Sequence, residues 1–123
     1  MPEIPLISIV DDDDAHRSSL ENLIRSVGLR TRGFSSAEAF LNSNHLPETR
    51  CLVLDVRMPG ISGLELQRQM AVANLPVPII FITAHEDEGQ RTQALHAGAV
   101  AFLRKPFYEE ELLNAINAAV KDS

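Results

Sequence analysis

The sequence predicts an α/β domain: a parallel sheet of five strands in the order 2-1-3-4-5, with helices on both faces. Three observations predict it. Short apolar stretches alternate with helical-period stretches five times along 123 residues. Helical crossovers require parallel neighbours, so this alternation implies a parallel sheet covered on both sides. The apolar runs at the first, third and fourth strands are nearly uninterrupted, as expected of strands buried on both faces, whereas the second is broken by Arg30, Arg32 and Gly33 and belongs at an edge. In such a sheet the ligand crevice lies at the carboxyl ends of the strands, near strands one and three.

The first strand is Leu6-Ile7-Ser8-Ile9-Val10, which runs into Asp11-Asp12-Asp13-Asp14. Leu20, Leu23, Ile24 and Val27 then repeat at helical spacing, and Gly28 stops that helix. Asp13 and Asp14 read as helix-start residues, where carboxylates meet orphan N–H groups and the positive end of the helix dipole. Leu29 to Phe34 is the weak second strand, and Ser35-Ser36-Ala37-Glu38 reads as a capping box opening a short second helix that ends near Ser43-Asn44. The third strand is Leu52 to Val56, followed by a turn marked by Pro59, Gly60 and Gly63. Leu64, Leu66 and Met70 are the expected buried positions of the third helix. Val77 to Ile82 is the fourth strand, leading to Thr83-Ala84-His85 and the acidic cluster Glu86-Asp87-Glu88. A modest fourth helix carries Ala94 and Leu95 and stops at Gly98, and Val100 to Leu103 is the fifth strand. The last helix follows Glu109-Glu110-Glu111 and turns Leu112, Leu113, Ile116 and Val120 to one side.

Composition removes several function classes. A hydrophobic share of 45% and a charged share of 23% suit an ordinary globular domain. No apolar run reaches the length of a membrane span. The net charge of −6 argues against direct nucleic-acid binding by this segment. The single cysteine, Cys51, cannot form an internal disulfide, which suits a cytoplasmic location, and it reads as a buried small hydrophobe. His16, His45, His85 and His96 are scattered without the spacing of a zinc site.

The polar residues that end the strands carry the chemistry. Asp11 and Asp12 end strand one, Asp55 strand three, Thr83 strand four and Lys105 strand five. In the predicted order these strands are contiguous, so the five side chains surround one patch. Three carboxylates together repel one another and call for a cation. Hard oxygen donors with room for water and phosphate suit Mg²⁺, and Mn²⁺ is an alternative. Lys105 adds a compact positive charge and Thr83 a hydroxyl donor. A metal, a nucleophilic carboxylate and charge-neutralising groups are the elements of phosphoryl transfer.

The whole chain resembles the receiver domain of two-component response regulators. The resemblance rests on Val10-Asp11-Asp12, on Asp55 within Leu54-Asp55-Val56-Arg57-Met58-Pro59-Gly60-Ile61-Ser62-Gly63, on Thr83-Ala84, on Lys105-Pro106, and on Phe102 three residues before the lysine. It implies a flavodoxin-like (βα)5 doubly wound sandwich, with residues 1–123 forming the receiver domain. It implies that Asp55 accepts a phosphoryl group from a sensor histidine kinase. Mg²⁺ would be held by Asp12 and Asp55, with Asp11 through water and the backbone carbonyl of Arg57. Lys105 would pair with the phosphoryl group, Thr83 would hydrogen-bond to it, and the Lys105–Pro106 bond would be cis. In the implied switch Thr83 moves toward the phosphate and Phe102 turns inward. That remodels the face of helix four, strand five and helix five and promotes a phosphorylation-dependent homodimer. Arg57 and His85, two residues past Asp55 and Thr83, occupy places that tune the lifetime of the phosphorylated form. The stretch around Asp55 resembles the subclass carrying a LuxR-type helix-turn-helix output domain, so DNA binding would belong to a C-terminal domain outside this chain.

Other functions are weaker. A Mg²⁺-dependent phosphatase with an aspartyl-phosphate intermediate commonly places a second acid two residues past the nucleophile, and here that place holds Arg57. A phosphorylation-independent module of the same fold should have lost part of the set Asp11, Asp12, Asp55, Thr83 and Lys105. A flavodoxin-like cofactor binder would need a glycine- or hydroxyl-rich loop after strand one. The expectation is therefore a signalling switch, not a conventional enzyme.

Overall fold

The structure is a computed structural model that describes residues 4–85 and 87–121, so Glu86 of the acidic cluster lies outside the described residues. Five strands and five helices alternate: β1 (Leu6–Val10), α1 (Asp14–Ser26), β2 (Arg30–Phe34), α2 (Ala37–Leu41), β3 (Thr49–Asp55), α3 (Gly63–Val72), β4 (Ile79–Thr83), α4 (Glu88–His96), β5 (Ala101–Arg104) and α5 (Glu109–Lys121). The sheet order is β2-β1-β3-β4-β5, with all neighbouring pairs parallel. Both match the sequence expectation.

The uninterrupted apolar strands feed two cores, one on each face of the sheet. Because successive side chains alternate between faces, Leu52 and Leu54 of β3 join Phe81, Phe40, Leu66 and Met70 in one core. Cys51 and Val53 join Ile80, Ile82, Ile24 and Ile116 in the other. The broken strand β2 is at the sheet edge, as its charged residues require. Ser8, buried in β1, is satisfied by the Thr49 hydroxyl at 2.7 Å. Thr49 donates in turn to the His45 carbonyl at 2.6 Å.

Element ends differ from the sequence reading in instructive ways. α2 is capped by Ser36, whose hydroxyl accepts the Ala39 N–H at 3.0 Å. The helix thus begins one residue later than a Ser35–Glu38 capping box requires, and Glu38 cannot serve as the reciprocal partner. β4 starts at Ile79, because Pro76 and Pro78 lack the N–H that a ladder needs. In α3 the buried positions are Gly63, Leu66, Gln67 and Met70, while Leu64 is only half-buried. Among the described residues, no helix is long and apolar enough to cross a membrane.

Candidate functional site

The carboxyl ends of β1, β3, β4 and β5 converge as the strand order dictates. Asp11 follows β1 and is fully buried, with its N–H bound to the Phe34 carbonyl at 3.1 Å. Asp12 next to it is exposed. Asp55 ends β3 and is 9% exposed. One carboxylate oxygen from each of Asp11, Asp12 and Asp55 lies within 4.8 Å of the others.

The turn after β3 is shaped by glycine. The Gly63 N–H donates to the Val56 carbonyl at 2.9 Å, seating the start of α3 on the end of β3. A Cβ on Gly63 would lie 2.3 Å from the Asp55 carbonyl oxygen, far inside contact distance. The glycine closing the Pro-Gly-x-Ser-Gly turn is thus needed for close backbone approach. Ser62 caps α3 by accepting the Glu65 N–H at 3.1 Å.

Thr83 ends β4 almost fully buried, and its hydroxyl accepts the His85 N–H at 3.1 Å. The Lys105 N–H donates to the Thr83 carbonyl at 2.8 Å, which carries the lysine to the end of β5. The Lys105–Pro106 peptide is cis. Lys105 Nζ stands 3.9 Å from Asp11 Oδ2. Arg57 and His85 are exposed at the rim. The Arg57 N–H donates to Asp55 Oδ1 at 3.3 Å.

The electrostatics follow from this crowding. Burial pushes the Asp55 carboxyl up to about 6, the charge of Asp11 pushes in the same direction, and Lys105 and the Arg57 N–H only partly oppose them. A carboxylate raised by burial and by a like charge is one for which a cation would be favourable. The donor set, all hard oxygen, fits Mg²⁺ with positions left for other ligands.

Phe102 of β5 is 7% exposed and packs on Phe81, with ring centroids 5.9 Å apart. The ring is therefore held inward. Arg91 of α4 donates to the Phe102 carbonyl at 3.0 Å, tying α4 to β5.

All the residues that sequence reasoning assigned to the patch are brought together there. What it missed is the apron formed by the first turn of α1. His16 Nδ1 is hydrogen-bonded to Asp11 Oδ2, and Arg17 Nη1 donates to the Asp11 carbonyl at 2.8 Å. The signal was present: on a helix started by Asp13, residues 16 and 17 face back toward the strand end.

Comparison with known proteins agrees with this geometry. The family described as the response regulator receiver domain matches residues 7–117. The response regulator protein TmoT of Ectopseudomonas mendocina is 51% identical over 116 residues, covering 94% of this chain and 53% of that protein. The transcriptional regulatory protein FixJ of Azorhizobium caulinodans is 40% identical over 120 residues, covering 98% of this chain and 57% of that protein. The chain thus spans about half the length of the curated relatives it matches. Among solved structures, the response regulator StyR superposes with a TM-score of 0.88 at 46% identity, over 97% of this chain and 60% of that one. A structure titled FixJ-N superposes with a TM-score of 0.87 at 37% identity, over 100% of this chain and 98% of that one. With that match over nearly its whole length, the chain belongs to the response regulator receiver domain family.

Proposed function

We propose that this domain is a phosphorylation-dependent signalling switch whose phosphoacceptor is Asp55. The observation that carries the reading is the convergence of Asp11, Asp12 and Asp55 within 4.8 Å at the strand ends, with Lys105 beside them. An oxygen of Asp55 attacks the phosphorus of a phosphohistidine on a sensor kinase. The O–P bond forms as the N–P bond breaks, and the kinase histidine leaves with the electron pair. Asp12, Asp55 and the Arg57 carbonyl, with Asp11 behind them, would hold Mg²⁺. When bound, the ion would supply positive charge that offsets the negative charge of the carboxylates and the incoming phosphoryl group. Lys105 neutralises a phosphoryl oxygen, and the Thr83 hydroxyl donates to another once it turns from the His85 N–H.

The switch then runs through Thr83, Phe102 and the surface formed by α4, β5 and α5. Leu95 and Val100 on that surface are 37% and 39% exposed, which supports its use as a homodimer face. Arg57 and His85 flank the phosphorylated carboxylate and limit the approach of the water that hydrolyses it. The chain's acidity, and relatives about twice its length that are named transcriptional regulators, support a DNA-binding output domain of LuxR type outside this chain. A cytoplasmic location follows from partnership with such an output.

The test is intact mass after incubation with acetyl phosphate and Mg²⁺. One added phosphoryl group in the wild type, and none in Asp55→Asn, is the expected result. An added group that persists in Asp55→Asn would sink the assignment. Sedimentation of the phosphorylated form, with no shift toward dimer, would remove the homodimer.

A further inference from the structure

Asp11 is fully buried, and its two oxygens have different partners. Oδ1 accepts the Asp13 N–H at 2.9 Å. Oδ2 receives the His16 ring through Nδ1 and stands 3.9 Å from Lys105 Nζ. Asp11, the N-cap Asp13 and His16 of α1 close a small circuit, because Asp13 Oδ1 accepts the His16 N–H at 3.1 Å. The N-cap thus fixes both the carboxylate and the backbone of the histidine that meets it.

Two donors compete for Oδ2. If the Lys105 ammonium closed to hydrogen-bond distance, the loose ion pair now at 3.9 Å would tighten inside the acidic patch, and Asp11 would attract a divalent cation less strongly. The imidazole occupies that oxygen with a ring nitrogen, and the ammonium stays beyond hydrogen-bond distance. Asp11 is already oriented by the Asp13 N–H, so orientation alone is not what the histidine adds.

We infer that His16 is a positioning residue that keeps Lys105 from closing to hydrogen-bond contact with Asp11, preserving the acidic patch for Mg²⁺ and the lysine for the phosphoryl group. This rests on the reading that Asp11, Asp12 and Asp55 hold Mg²⁺. It assigns to α1 a part in cation binding that the strand-end residues do not reveal. Outer partners of ligating groups typically change metal affinity by about 10- to 100-fold when removed. The low end suits a partly exposed ring, whose side chain is 24% accessible.

The experiment is calorimetric titration of the intact chain with Mg²⁺ at pH 8. His16→Ala and His16→Leu should each bind Mg²⁺ about tenfold more weakly. His16→Asn, which keeps an N–H donor near the place of Nδ1, should stay within about threefold of wild type. In a Lys105→Ala background, where the competitor is gone, His16→Ala should cost less than about threefold. Unchanged or tighter binding by His16→Ala overturns the inference, as does an undiminished tenfold loss in the Lys105→Ala background. A wild-type chain that binds no Mg²⁺ overturns the metal reading itself, a result separable from the others.

Discussion

Gln67 Nε2 donates to the Ala94 carbonyl oxygen at 3.1 Å, joining α3 to the last turn of α4 through a side chain that is only 7% exposed. The same carbonyl accepts the Ala99 N–H at 3.0 Å, so both its acceptor positions are used where α4 turns into β5. α4 is held on its other flank by Arg91 on the Phe102 carbonyl. The helix on the proposed switch surface is thus pinned at two polar points, with Ala94 its buried core residue.

Removing the first pin should loosen α4 without unfolding the domain. Gln67→Ala deletes a buried hydrogen bond and is expected to cost about 1–2 kcal/mol in urea unfolding. Amide exchange should accelerate over residues 88–98 more than in α1 or α5. Equal acceleration everywhere would mean that the bond contributes only to global stability.

Gly63→Ala addresses the seat of Asp55, the proposed phosphoacceptor. The new methyl would meet the Asp55 carbonyl oxygen at 2.3 Å; that oxygen belongs to the backbone and the methyl has no torsion to turn it away. A loss of about 1–3 kcal/mol in stability is expected, together with slower labelling of Asp55 by acetyl phosphate. Unfolding curves and intact mass on the same samples check both effects.

Much of this arrangement was legible beforehand, and the reasons are physical. Strands buried on both faces produce apolar runs, and a charge at the end of such a run, as at Asp55, stands out. Strand order followed from which run was broken, so the five site residues could be placed together. Gln67 and His16 escaped because each is a polar residue on a helix whose value depends on a partner distant in the fold or around a turn. Ala94 is 27 residues from Gln67, and nothing in local periodicity announces the pairing. Ser35 and Ser36 are equally good caps by residue type, so local sequence does not distinguish them, and in the structure Ser36 is the cap of α2.

Cys51 tests the core behind the site. Burial raises its thiol to about 12, so the native protein should present almost no thiolate near neutral pH. A disulfide reagent at pH 8 should leave the folded chain unmodified and react fully once urea unfolds it. Rapid labelling without denaturant would show that β3 opens far more readily than its packing indicates.

Burial and repulsion at Asp55 itself give stability a pH signature. Its carboxyl is raised from the model-compound value of 3.8 to about 6, chiefly by burial and then by Asp11. Between these values the folded chain holds a proton that the unfolded chain has released. Asp55 therefore favours the fold at low pH, and this advantage is lost as the pH climbs from about 4 through 6. In Mg²⁺-free buffer, Asp55→Asn should be more stable than wild type at pH 8 by about 1–2 kcal/mol, after allowance for solvent screening at the open cleft. The difference should lose most of its size near pH 4, where the folded carboxyl is protonated and the unfolded one is close to half protonated. Adding Mg²⁺ at pH 8 should narrow the gap from the other side, since a cation bound only by the folded wild type stabilises it by about 2.7 kcal/mol at a hundredfold excess over Kd. Urea unfolding of both proteins at pH 4 and 8, with and without Mg²⁺, measures all of these differences. A wild type more stable than Asp55→Asn at pH 8 without metal would contradict the repulsion that the geometry implies.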